Sequence, residues 1–411
     1  MGKNTVLHRS VRPVSEHDRV TTLELFFDLV FVFALTQISA LVAGNLSPEG
    51  AARGLVLLGL LWWAWTAFTW LGNSARADVG VVRGGLIVAM GLVFAMGLAI
   101  PTAWDASGEG LSSALVFAVA FVLTRLVHVA VYWVAAGDDP GLRRQVARLA
   151  LAGILPTILL VAGGLQGGAT QTLLWAAALV ADYVGVYLAG SRGWVVRSPG
   201  HFAERHGLII IIALGESIVA IGVGVAELPV TAAILLASAF GLAVVVCLWW
   251  IYFDVTALAA ERMFDRAQGD ERTRIARDGY TYLHFPMLVG IVWAAVGMKK
   301  VMAYTADTVE HGAGYPLPTW ARLGLFLGPA LYLLAHALFR RRIARSWSVP
   351  RLTVAALLAV LAFALAPLGA LADLAVLALV LAALVVWEVV AMREVRQKVR
   401  GSVAHPGPAG G

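Results

Sequence analysis

Cysteine is almost absent. The one thiol, Cys247, sits inside an apolar run, which excludes an internal disulfide and any cysteine-based metal cluster. Charge is scarce as well. Asp, Glu, Lys and Arg make up 14% of the 411 residues, against 60% hydrophobic ones. A soluble chain of this length needs more charge to cover its surface. Common enzyme motifs are missing too. The sequence has no P-loop, no Rossmann glycine fingerprint and no HExxH. The Gly215-Glu216-Ser217 stretch carries glutamate where a nucleophile elbow needs its serine. No short-range ligand spacing joins His128, His284 and His336 to the carboxylates, so no metal or other cofactor is expected. No cleavage site follows the first apolar run, which therefore reads as a retained first helix and not a signal peptide.

What the chain does have is apolar segments of about 20 residues, the length that crosses a bilayer as a helix. They recur from end to end. The expectation is an all-α polytopic membrane protein of about twelve spans. The spans fall at 22–42, 54–72, 82–100, 112–134, 146–163, 171–190, 205–225, 230–251, 281–301, 320–339, 350–368 and 371–392. The 42 glycines suit close helix packing. A net charge of +6 does not imply nucleic acid, because most basic residues sit at the ends of apolar segments. Arginines cluster in alternate loops, as at 143–148, 262–277 and 340–345, while Glu49, Asp105, Asp307 and Glu310 mark the other side. That alternation predicts cytoplasmic N- and C-termini in a bacterial inner membrane. Lys299 and Lys300 are exceptions near an outer helix end; they snorkel, or the boundary lies elsewhere. The 262–277 loop mixes arginines with acids and reads as a solvated connector.

The second half echoes the first. Leu61-Trp62-Trp63 and Leu248-Trp249-Trp250 fall in the second span of each half, and Glu24 and Glu204 open the first. Arg125 to His128 lies where Leu333 to His336 would fall, and Asp182 corresponds to Glu388. The expected organisation is a 1–19 cytoplasmic segment, a 20–200 half, a 201–400 half and a disordered 401–411 tail. Six spans per half makes a parallel repeat.

Ionisable residues inside apolar segments are costly and are functional candidates by default. Glu24 and Asp28 are four apart and share a helix face. They read either as a helix cap plus a packing pair or as a vestibule for a cation or proton. Glu204 and Arg205 open the seventh span. Glu216 lies twelve residues on, about 18 Å along a helix, near the membrane centre. Gly215 and Ser217 beside it allow backbone approach and hydrogen bonding. Arg125 needs a partner, with Asp28, Glu216 and Asp182 as candidates. His128 on the same face is a proton relay or an interhelical hydrogen bonder. Asp254 follows the eighth span, His284 starts the ninth and His336 falls late in the tenth. Trp62, Trp63, Trp65 and Trp70 form an aromatic run, read chiefly as interfacial where it nears a helix end.

The stretches VTTLELFFDLVFVFALTQIS (20–39), TRLVHVAVY (124–132), HFAERHGLIIIIALGESIVAIGVG (201–224), LWWIYFD (248–254) and YLHFPMLVGI (282–291) carry a resemblance. The chain resembles the bacterial low temperature requirement A family over most of residues 20–340. The resemblance implies a multipass inner-membrane protein and marks Glu24, Asp28, Arg125, His128, Glu204, Arg205, Glu216, Asp254 and His284. A fainter likeness, at Phe26-Phe27-Asp28, is to potassium channels whose first helix carries an FSD motif. Here phenylalanine replaces the serine and the arginine spacing differs.

The leading expectation is a transporter of a small solute or ion, proton-coupled through Glu216 and the Glu24–Asp28 face. A proton or cation channel and an intramembrane lipid-handling protein or enzyme are the rivals. Expected partners are membrane lipids and the solute or ion. A monomer and a homodimer are both admissible.

Overall fold

The computed structural model describes residues 12–16, 18–105, 110–189, 194–223, 225, 229–307, 310–391, 393 and 397. The 401–411 tail and most of the 1–19 segment fall outside them. Among the described residues the chain is helical, with no strand and two isolated bridges. The helices are α1 (Thr22–Gly44), α2 (Pro48–Ser74), α3 (Gly80–Ala99), α4 (Ser113–Ala135), α5 (Pro140–Ala152), α6 (Ile154–Gly164), α7 (Gly168–Ala189) and α8 (Pro199–Val223). They continue as α9 (Ala232–Phe253), α10 (Thr256–Arg266), α11 (Gly269–Arg274), α12 (His284–Ala306), α13 (Thr319–Ala344), α14 (Val349–Ala364) and α15 (Ala370–Ala391).

Eleven helical stretches among the described residues are long and apolar enough to cross a membrane. α14 is apolar but has 16 residues, about 24 Å of helix. Helix starts follow local chemistry. Thr21 caps α1 in a reciprocal box with Glu24. Ser47 caps α2 and Asp139 caps α5, each followed by proline at the first helical position.

Several boundaries differ from expectation. The seventh span begins at Pro199, not 205. Ser198 Oγ accepts from the His201 backbone N–H (3.2 Å), so its hydroxyl meets one of the new helix's unpaired donors. The fifth span is broken at Gly153 into α5 and α6. The 262–277 connector is not a solvated loop. It runs through the end of α10, α11 and the start of a π turn over Ile275–Tyr282, and it buries Phe264, Thr273, Ile275 and Ala276. The ninth span runs on to Ala306, so Lys299 and Lys300 lie inside α12, with Lys300 Nζ 5.9 Å from the Tyr304 ring centre.

The chain divides into two compact units. One holds residues up to Arg205 plus Ala267–Arg277; the other holds His206–Arg266 and Asp278 onward. In the first, α2 is the central helix, with 83% of its apolar window buried against 22% for α7. Around it α3 packs on α4, α6 on α7, and α1 on α3 and α2. The returning 267–277 segment is held by Arg272 to Glu16 (3.6 Å) and by Thr273 Oγ1 donating to Trp194 O (3.3 Å).

In the second unit the tightest pairing is α12 on α13. A Cβ at Gly290 would lie 2.5 Å from Gly328 O, and one at Gly328 would lie 2.6 Å from Gly290 O. The two backbones touch at this crossing, which only glycine permits.

Candidate functional site

α1 and α8 begin at the same end of the first unit and face each other with residues spaced four apart on both. Glu24 and Asp28 project from α1; His201 and Arg205 project from α8. They meet in two rungs. His201 Nε2 lies 3.0 and 3.1 Å from the two Glu24 oxygens. One turn deeper, Arg205 Nη2 lies 2.9 Å from Asp28 Oδ1. Both pairs are buried: Glu24 and His201 are each 2% exposed, Asp28 0% and Arg205 1%.

α2 supplies the third wall. Trp65 Nε1 donates to the same Asp28 Oδ1 (2.8 Å), and Arg205 lies 5.4 Å from the Trp65 ring centre. Asp28 Oδ2 and Arg205 Nε and Nη1 have no hydrogen-bond partner among the described residues. The deep rung is therefore charge-paired with spare donor and acceptor capacity. Gly72 of α2 makes room above it, since a Cβ there would stand 2.5 Å from Glu24 Oε1. Asn73 holds the start of α8 in place: its Nδ2 donates to Ser198 O (2.6 Å) and its Oδ1 accepts from the Arg197 N–H (2.8 Å).

Over the upper rung lies a cavity of about 220 Å³, reached by Glu24, His201, Asp18, Arg19, Arg76 and Asp78. Outside the helices the charges are fixed by their contacts. Hydrogen bonds from Arg76 hold the Asp78 carboxyl below its ordinary range, and the same contact raises Arg76. The Ser15 backbone N–H, above all, lowers Asp18. Asp18, Asp78 and Arg76 are thus all ionised at neutral pH.

The other expected residues are placed as follows. Glu204 is the sixth residue of α8, not part of its first turn. It is partly exposed, accepts from the Val20 N–H (3.2 Å) and stands 3.8 Å from Arg19. It tethers the segment before α1 and does not join the ladder. Arg125 pairs with Asp182, one of its three candidate partners, and its guanidinium fills the space over Gly153 where the fifth span breaks. His128 is buried beside Phe68 and Tyr132, with ring centres 5.4 Å away in both cases.

In the second unit Glu216 is 1% exposed on α8. Its neighbours do not play the expected parts. A Cβ at Gly215 would meet nothing within 4 Å, so no close backbone approach is made there. Ser217 Oγ donates to Ala213 O of its own helix (3.0 Å). His284 Nε2 bonds the Tyr252 hydroxyl (2.7 Å) and Nδ1 bonds Gly279 O (3.1 Å), with the His206 ring centre 5.1 Å away. His336 meets Arg351, which also makes a two-point contact with Glu388 (2.7 and 2.9 Å). Asp254 caps α9, with Thr256 starting α10 just beyond it. At the end of α12, Asp307, Glu310 and His311 bring donor atoms within 4.8 Å of one another, a spacing able to hold a metal ion.

Sequence reasoning passed over His201, Asn73 and Arg351, and it gave Trp65 no part in the polar site. His201 had a usable signal. It stands four residues before Arg205, as Glu24 stands four before Asp28. Trp65 lay in the aromatic run read chiefly as interfacial, yet it is 1% exposed and bonds a carboxylate.

Long apolar helices around buried, paired charges define a polytopic membrane protein. The chain belongs to the bacterial low temperature requirement A protein family, whose model matches residues 19–387. A protein of Rhizobium meliloti (strain 1021), named Uncharacterized protein RA0937, is 31% identical over 393 residues, covering 91% of this chain and 90% of its own length. No solved structure matches.

Proposed function

We propose that this protein transports a small solute or ion across a bacterial inner membrane, coupled to protons at the Glu24–His201 rung, with both termini in the cytoplasm. The observation that carries the reading is the two-rung ladder lying directly under a polar cavity. The upper rung pairs a carboxylate with an imidazole, two groups able to pass a proton across one hydrogen bond. Protonating Glu24 removes the anion facing His201 and changes the charge balance one turn above Asp28–Arg205. The unused hydrogen-bonding capacity of that deeper pair supports an exchangeable contact more than a settled clamp. A charge change that favours one of two conformations is a physical route to alternating access. Glu216, buried in the second unit, is proposed as a further carboxylate that transport needs.

We also read the chain as a duplication. Arg125 of α4 meets Asp182 late in α7; His336 of α13 and Glu388 late in α15 meet through Arg351. α3 pairs with α4 as α12 pairs with α13, and α2 meets α7 as α9 meets α15.

The test is flux in proteoliposomes carrying a pH-sensitive dye, under imposed proton, sodium and potassium gradients. Wild type is expected to move protons. Glu24→Gln and Glu216→Gln, each with an unchanged size-exclusion profile, are expected to fall to the level of empty liposomes. Wild-type liposomes that match empty ones under every gradient would sink the proton-coupled reading.

A further inference from the structure

The second unit holds a hollow of about 140 Å³ between the end of α9, helix α10 and the end of α13. Its floor is the buried Arg351–Glu388 pair. Its walls are mostly carbon, from Trp250, Val255, Ala259 and Ile343. Arg340 reaches into it, partly buried. Its Nε donates to Ser346 Oγ (3.2 Å), and among the described residues no carboxylate lies within ion-pair distance of it. Its neighbours are committed elsewhere. Arg342 pairs with Asp278 (3.3 Å), Arg341 donates to Arg345 O (2.9 Å), and Arg351 is held by Glu388.

The place in the fold fixes the depth. α9 and α13 end here, α14 begins here, and Glu388 lies in the last turn of α15. Trp249 and Trp347 are exposed nearby, at 42% and 50%, as interfacial tryptophans are. α10 turns charged residues one way and buries Ala260 and Phe264 the other, as an interfacial helix does. Arg262, Arg266, Arg340, Arg341, Arg342, Arg345 and Arg351 outnumber Asp254, Glu261, Asp265, Asp278 and Glu388 at this end, so the local field favours an anion.

We propose that this hollow binds an anionic phospholipid of the adjoining leaflet. The phosphate sits on the Arg340 guanidinium, and an acyl chain lies along Val255, Ala259 and Ile343. Neither half explains the site alone: a free anion has no use for the carbon wall, and a neutral lipid has no use for Arg340.

The experiment uses full-length protein, delipidated in a neutral detergent. It is titrated separately with phosphatidylglycerol, phosphatidylcholine and inorganic phosphate, and read by native mass spectrometry and thermal midpoint. Phosphatidylglycerol is expected to be retained about five-fold over phosphatidylcholine, the preference one arginine near an anionic surface supplies, and to raise the midpoint. Phosphate should do neither. Arg340→Gln should erase the preference and Arg340→Lys keep most of it. Ala259→Trp, on the accessible helix α10, should block retention by filling the hollow. Equal retention of the two lipids overturns the proposal without any variant. So does a midpoint shift reproduced by phosphate alone, or a preference that survives both Arg340→Gln and Ala259→Trp.

Discussion

Arg125 and Asp182 form the most direct test of how this protein tolerates charge in an apolar setting. Asp182 is fully buried, and the Arg125 side chain keeps 15% exposure. Removing one member leaves the other charge without its partner, at a cost of about 3–5 kcal/mol. Arg125→Gln alone is therefore expected to lower the thermal midpoint sharply. The double variant Arg125→Gln/Asp182→Asn should recover most of the loss. Additive effects in a double-mutant cycle would argue that the two side chains do not depend on each other. The pairing itself was only half legible beforehand. An intramembrane arginine announces that it needs an acid, but helical periodicity does not say which of three helices brings it. The same limit hid His201. Its partner Glu24 is 177 residues away in the chain, and no local pattern spans that distance.

Element by element, the apolar runs made the spans easy to read, because length and hydropathy alone decide whether a helix can cross. Their ends were harder. Residues 199–204 mix proline, histidine and charge, so hydropathy delayed the start of α8. Yet Ser198 and Pro199 are good starting residues, and the helix begins there. The 262–277 segment misled for the opposite reason: its charges look solvated, and many are, while Phe264, Thr273, Ile275 and Ala276 are buried among them. The α12–α13 crossing rests on glycines that sequence can count but not pair. Gly290→Ala is expected to destabilise by about 1–3 kcal/mol through overpacking, seen as a lower midpoint. Gly84→Ala, where a Cβ meets nothing within 4 Å, should be neutral or better. Equal behaviour of the two would mean that the backbones do not touch at Gly290.

At the scale of the whole molecule, orientation can be read with one thiol at a time. In a Cys247→Ala background, an impermeant maleimide should label Asp105→Cys in right-side-out vesicles. It should label Asp138→Cys only in inside-out ones. The reverse pattern would place the termini outside and move the ladder's cavity to the opposite compartment. The ladder also has a history during synthesis. Asp28 lies near the start of the chain, and Arg205 follows it by the same 177 residues that separate Glu24 from His201. At about 5–20 residues per second, the ribosome needs roughly 9–35 seconds to make the partner. Throughout that interval the newborn first helix must be held with an acid that nothing yet balances. α1 is otherwise very apolar, with a hydropathy of 2.1 in its best window. The first helix therefore enters the bilayer with a charge that is settled only once α8 has been made.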